Sequence, residues 1–261
     1  MTIIAVIPAR MESSRFPGKP LKPILGMPML GHVYFRTRMS SVLDAVYLAT
    51  CNSEIAAYGE HIGAPVVMTK STHERATDRT AEAIERIEQE TGTRADIVVM
   101  VQGDEPMVTP EMIDAAVQPM VNDPSIPVVN LMAPLADGRE HDDYNEPKVV
   151  VDRRSNALYF SREASPSRWK MGTDVPMQKQ VCIMPFRRDF LRTFAQLPPT
   201  VLEIAESIDM LRALEHGYAV RMVVSPTPGT YSVDTPEDLA RVERCMGQDP
   251  LLPRYHRAVK E

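Results

Sequence analysis

"TIIAVIPARMESSRFPGKPL", residues 2–21, decides how the rest of the chain is read. Up to Ile7 it is an unbroken apolar, β-branched run, the pattern of a strand covered on both faces. Pro17, Gly18 and Pro20 then stiffen a loop that also carries Arg10, Arg15 and Lys19 against the single acid Glu12. A turn needs glycine or proline, but it does not need three cations. The loop is therefore read as built to hold an anion.

Working outward, apolar runs alternate with helical patterns. "MLGHVYFRTRMS" (29–40) places Leu30, Val33 and Tyr34 on one helical face. "AVYLAT" (45–50) reads as a second strand, and "SEIAAYGEHIG" (53–63) as a helix with Ser53 as N-cap and Gly63 just past its end. "APVVMT" (64–69) is a third strand, and "ATDRTAEAIERIEQETG" (76–92) a helix that turns Ala81, Ile84 and Ile87 inward. "ADIVVMVQGDEP" (95–106) is the most apolar strand and is expected at the centre of the sheet. Strand–helix alternation implies a doubly wound, mostly parallel α/β sheet.

Beyond about residue 125 the rhythm changes. "PVVNLMAPL" (127–135), "PKVVVD" (147–152), "ALYFS" (157–161) and "KQVCIMPF" (179–186) read as strands with little helix between them, an inserted antiparallel subregion. Helices return in "RRDFLRTFAQ" (187–196) and "AESIDMLRALEHG" (205–217), followed by the strand "AVRMVVSP" (219–226). "DTPEDLARVERCM" (234–246) reads as a helix capped by Asp234 or Thr235, with Pro236 in its first turn. The tail from residue 247 has no periodicity. The whole chain, 1–261, reads as one domain with an inserted subregion: 1–125 a first half, 126–220 the insertion, and 221–246 a returning strand and helix.

Composition narrows the function classes. A net charge of −6 over 261 residues argues against nucleic acid or a membrane surface as partner. Three isolated cysteines without CxxC spacing exclude a disulfide framework and a cysteine zinc site. No run approaches the roughly 20 apolar residues of a membrane span. Met1 leads straight into a strand without a basic leader, so a cytoplasmic location is expected.

In a doubly wound sheet, ligands bind at the carboxyl ends of the strands. The basic loop belongs there, and so does "VQGDEP" (101–106), where an apolar strand stops in Gly103, Asp104 and Glu105. "YSVDTPEDL" (231–239) supplies Asp234 at the end of what reads as another strand. Cations match the charge of a triphosphate, and Mg²⁺ takes one or two carboxylates from the protein while bridging phosphate oxygens. The loop is not a Walker A sequence, because Gly18-Lys19 is followed by Pro20, and the chain lacks the GxGxxG of dinucleotide sites.

"IPARMESSRFPGKPL", "VMVQGDEPMV", "NEPKVVVD", "ALYFSR" and "VDTPEDLARV", in that order from residue 3 to about 245, resemble the 3-deoxy-manno-octulosonate (Kdo) cytidylyltransferases. The resemblance implies a nucleotidyltransferase fold, usually a homodimer, that couples CTP to an acidic sugar and releases pyrophosphate, with 1–125 as the CTP-binding half, 126–220 as the acceptor-binding and dimerisation subregion and 221–246 carrying the second metal aspartate. It implies that Pro8, Ala9 and Arg10 line the nucleotide site, and that Arg15 and Lys19 hold the triphosphate and stabilise charge in the transition state. Arg10, Arg15, Lys19 and Asp104 form the implied catalytic set. Thr77 and Arg79 match a Gly-Thr-Glu-Arg turn that contacts the nucleotide, although Ala76 and Asp78 replace its glycine and glutamate. Gln102 would touch bound ligand, and Asp104 and Asp234 would carry Mg²⁺.

The departures from the family pattern lie on the acceptor side. His-x-Gly-x-Tyr-Gly-Tyr appears as "QVCIMPF" (180–186), with Gln180 for the histidine, Cys182 for a glycine and Met184 for a tyrosine. Leu-Glu-Gln-Leu-Arg appears as "IDMLR" (208–212), with Asp209 for Glu and Met210 for Gln. Gln102, Gln180, Met184, Asp209 and Met210 are taken as acceptor contacts. Their altered chemistry leads to the expectation of a different acidic acceptor, such as another ulosonic acid or a phosphonate, with Kdo itself a poor substrate. A Kdo enzyme proper and a non-catalytic nucleotide-binding relative are the alternatives.

Overall fold

A computed structural model describes residues 1–12, 15–135, 138–172, 175–227 and 229–256. The chain begins with β1 (Ile3–Pro8), a single 3-10 turn at Lys19–Leu21, and the short hairpin β2 (Pro23–Ile24) and β3 (Met27–Pro28). There follow α1 (Met29–Thr37), β4 (Ala45–Thr50), α2 (Ser53–His61), β5 (Val66–Met68), α3 (Ala76–Thr91), β6 (Ile97–Val101) and α4 (Pro110–Asn122). Next come β7 (Val129–Pro134), α5 (Gly138–Asp142), β8 (Lys148–Val151), β9 (Ala157–Ser161), β10 (Gln178–Val181) and β11 (Ile183–Arg187). The last elements are α6 (Arg188–Gln196), α7 (Val201–Glu206), α8 (Met210–Glu215), β12 (Arg221–Val224), α9 (Pro236–Met246) and α10 (Leu252–His256).

The first sheet has the order β11-β6-β1-β4-β5. Its strands are parallel except β11, which runs against β6. Along β1 the side chains alternate between two cores. Ile3, Ala5 and Ile7 pack with Leu30 and Val33 of α1, Ile55 of α2 and Ile113 of α4, whereas Ile4 and Val6 pack with Ile84 and Ile87 of α3 and Phe194 of α6. This is the doubly wound arrangement expected from strand–helix alternation. The middle strand is β1; β6, expected at the centre, is interior and entirely buried but stands one place off it.

The second sheet, β12-β7-β10-β8-β9, is antiparallel except for the β12–β7 pair. The stretch expected as one strand over 179–186 serves both sheets. Its first half, β10, pairs with β7 and β8, and its second half, β11, pairs with β6. Cys182 is the joint: its carbonyl accepts the Gln102 N–H at 3.0 Å. The sheets therefore do not follow the sequence division at 126 and 220, since β11 belongs to the first and β12 to the second.

Other differences are local. The helix expected over 205–217 is broken at Ser207, whose φ of +54° ends α7, and α8 restarts at Met210. Helix α4 was not anticipated, although Thr109 caps it by accepting the Met112 N–H and Pro110 opens it. The first helix stops at Thr37, and Ser53 is the first helical residue of α2 rather than its cap. Asp234 lies ten residues beyond the end of β12, outside any strand and just before α9, where Thr235 and Asp238 cap each other reciprocally. The tail without periodicity contains α10. Among the described residues no helix is long and apolar enough to cross a membrane.

Candidate active site

The carboxyl ends of β1 and β6 open into a cleft of about 380 Å³. The two strand-end turns are packed together there. A Cβ on Gly103 would stand 3.1 Å from the Pro8 carbonyl and 3.4 Å from Ala9 Cβ, so this close approach favours glycine. The basic loop closes on itself through Gly18 N–H to the Met11 carbonyl at 3.0 Å, with Gly18 left-handed at φ +71°. Asn52, after β4, ties the loop down by accepting the Met11 N–H at 3.0 Å and donating to Glu12 at 3.1 Å.

Lys19 and the two aspartates meet in one cluster. Lys19 Nζ donates to Asp104 Oδ2 at 2.7 Å, to Asp234 Oδ1 at 2.9 Å and to the Val233 carbonyl at 2.9 Å. Arg15 donates to the same Asp234 oxygen at 3.0 Å and to Asn145 at 2.5 Å. The Val233 N–H bonds the Asp104 carbonyl at 2.9 Å, joining the two aspartate-bearing segments through the backbone. Burial works against the Lys19 ammonium, but Asp104 and Asp234 outweigh it and raise its pKa above the usual lysine value. The other Asp104 oxygen, Oδ1, is buried without a hydrogen-bond partner. A buried lone carboxylate oxygen beside a second carboxylate suits a hard cation. Among the described residues no cluster of three or more His, Cys, Asp and Glu is arranged to hold a metal, so the pair would need further oxygen ligands from water or bound phosphate.

Pro8, Ala9, Arg10, Gln102 and Arg79 also line the cleft, Arg10 from an exposed position. Arg79 is almost wholly buried and donates to Thr69 and to the Lys70 and His73 carbonyls, so it also holds the 69–75 loop in shape. Thr77 is fully buried, does not line the cleft, and donates to Asp209 Oδ2 at 2.7 Å.

Of the residues expected as acceptor contacts, Gln102, Gln180, Met184 and Asp209 line the cleft and Met210 does not. Met210 is fully buried in the core shared by α3, α6 and α8. Met184 is 2% exposed and forms floor rather than rim. Gln180 donates to Asn130 at 2.6 Å. Burial raises the Asp209 pKa against the lowering effects of Thr77 and Arg75.

Sequence reasoning assigned no role to two lining residues. Glu105 accepts the Cys182 N–H at 3.0 Å, and burial, then the Asp104 charge, pushes its carboxyl up to about 8. Arg162 directs its guanidinium hydrogen bonds to backbone carbonyls, Glu206 at 2.6 Å, Tyr144 at 2.7 Å and Ser207 at 3.4 Å. Burial, then the nearby Arg15 charge, lowers its pKa. The available signal was its place in "ALYFSR", a cation directly after a strand.

A family model described as cytidylyltransferase matches residues 4–222. The 3-deoxy-manno-octulosonate cytidylyltransferase of Syntrophotalea carbinolica is 46% identical over 251 residues, covering 93% of this chain and 98% of that protein. That of Syntrophobacter fumaroxidans is 43% identical over 252 residues, covering 96% and 99%. A solved CMP:2-keto-3-deoxy-manno-octonic acid synthetase complexed with CTP superposes with a TM-score of 0.85 at 36% identity, covering 95% of this chain and 99% of that one. The reading as a non-catalytic relative falls with these matches. The strand-end cation–carboxylate cluster, the two-sheet fold and the likeness over nearly the full length agree: this chain belongs to the 3-deoxy-manno-octulosonate cytidylyltransferase family and is a nucleotidyltransferase that uses CTP.

Proposed function

We propose that the chain transfers CMP from CTP to Kdo in this cleft and releases pyrophosphate. The observation that carries the reading is one pocket lined by Arg15, Lys19, Asp104 and Asp234 together with Arg162. A triphosphate and an acidic acceptor both need positive charge, and the same cleft offers it to both.

The different acceptor expected from the sequence has no support among these relatives. The relatives reported above carry the name of the Kdo enzyme, and not every replaced residue reaches the cleft. Met210 is core, so its replacement of glutamine removes nothing from the pocket wall. Gln180 still presents an amide there.

Transfer of this type asks a protein mainly for positioning and charge neutralisation. An acceptor oxygen attacks the α-phosphorus, and the bond from that phosphorus to the pyrophosphate oxygen breaks. Lys19, Arg15 and Arg10 would balance the charge growing on the leaving pyrophosphate, which is where a cation accelerates rather than merely binds. Arg162 would hold the acceptor's carboxylate. Asp104 and Asp234 would hold a divalent cation, for which Mg²⁺ is the match to hard oxygen donors, and which when bound supplies further positive charge to the phosphates. Lys19 and Arg15 form ion pairs with these same carboxylates. Triphosphate would draw the two side chains away and leave both aspartates to the metal, so nucleotide and metal binding reinforce each other. The homodimer and the cytoplasmic location implied by the sequence form part of this proposal.

Pyrophosphate release with CTP and a panel of acids tests the reading. Kdo is expected to be turned over most efficiently. Turnover of a phosphonate or another ulosonic acid at a higher kcat/KM than Kdo would overturn it.

A further inference from the structure

The turn between β2 and β3 has an unusual backbone. Leu25 and Gly26 both lie in the left-handed region, at φ +49° and +86°. A two-residue hairpin turn of this kind favours Asn, Asp or Gly at both places, and leucine there is strained. Such strain persists only where the surroundings over-determine it, and it collects at functional sites.

The surroundings here are the C-terminal helices. The Leu25 N–H donates to Glu243 of α9 at 2.9 Å, and His256 Nε2 donates to the Leu25 carbonyl at 3.0 Å. His32 Nε2 donates to the Ile24 carbonyl at 2.8 Å, and its Nδ1 lies 2.8 Å from Tyr255 Oη. Burial lowers the His32 pKa to about 4, so the ring is neutral and Nδ1 accepts from the tyrosine hydroxyl. That hydroxyl in turn accepts from Arg36 Nε at 3.0 Å, while Arg36 also reaches Asp249 and the Val108 carbonyl.

The clamped turn is connected to the catalytic loop. The Lys22 N–H bonds the Lys19 carbonyl at 3.1 Å, and the Met29 N–H bonds the Lys22 carbonyl at 2.9 Å. A small separate core holds Ile24, Val233, Val242 and Met246, with Phe16 and Met107 packed against it. It thus touches the segments just before Lys19, just after Asp104 and just before Asp234.

We propose that Glu243, Tyr255 and His256 are positioning residues that, through the Leu25–Gly26 turn, set where Lys19 stands for nucleotidyl transfer. The inference rests on Lys19 acting in that transfer, so Lys19→Ala is measured alongside. In the otherwise native enzyme, His256→Ala and Tyr255→Phe are expected to lower kcat about tenfold or more while the KM for CTP moves less than twofold, because misplacing a catalytic group slows chemistry steeply. His256→Gln, which keeps a donor for the Leu25 carbonyl, should restore the rate. In the Lys19→Ala background the same two substitutions should leave kcat unchanged, since their route to the reaction is already cut. Fully additive losses in that background, or unchanged rates in the native one, would overturn the clamp. Full activity of Lys19→Ala would instead overturn the site reading beneath it.

Discussion

The two sides of the cleft differ in what their polar groups face. On the proposed nucleotide side Lys19, Arg15, Asp104 and Asp234 pair with one another at the cleft wall, each contact one that phosphate or a cation could replace. On the proposed acceptor side Asp209 is bonded to buried Thr77 and Gln180 to Asn130, and Met210 is sealed in the core. The first side is a set of exchangeable ion pairs, and the second is largely an extension of the protein's own packing. A residue's chemistry, read alone, therefore says more about ligand on the first side than on the second.

The most severe break of this contrast is Asp234→Asn. Turnover should fall by about 10²–10³-fold or more at saturating Mg²⁺ with the melting temperature little changed, as when one preorganised electrostatic group is removed. A near-normal rate of pyrophosphate release would take Asp234 out of the chemistry. Lys19→Met should lower kcat by about 10²-fold and raise the KM for CTP less. The same variant should bind Mn²⁺ without nucleotide about tenfold more tightly than the native protein, because the ammonium no longer competes for the carboxylates. Calorimetric titration reads this directly, and unchanged Mn²⁺ affinity would refute the exchange of partners.

Arg162→Met probes the other side. The KM for Kdo should rise by about tenfold or more, the loss of one charged hydrogen bond, with the KM for CTP within twofold. An equal effect on CTP would move Arg162 to the nucleotide. Met210→Leu is the smallest effect expected. A volume-conserving core exchange should cost less than about 1.5 kcal/mol by thermal or urea unfolding and leave the KM for Kdo within twofold. A changed KM would return Met210 to the acceptor wall.

Much of this molecule was legible in the chain of residues. Apolar runs such as 2–7 and 97–101, alternating with helical periodicity, specify a parallel sheet covered on both faces, because only burial on both sides tolerates strands without polar alternation. The basic loop with Gly18, and the turn with Gly103 and Asp104, were legible as a site because strand ends in such a sheet converge. Three matters depended on tertiary structure. Cys182 divides one apolar run between two sheets, and nothing in "KQVCIMPF" marks the joint, since both halves have the same β-strand pattern. Asp234 reaches Asp104 through a backbone bond from Val233 across more than a hundred residues, a contact with no local signature. Met210 and Thr77 turned inward while Arg162 and Glu105 turned to the cleft, a choice set by the rotation of α8, α3 and the strand ends against their neighbours. Local sequence fixes which elements form and which chemistry they carry; long-range packing fixes which of those side chains reach the ligand.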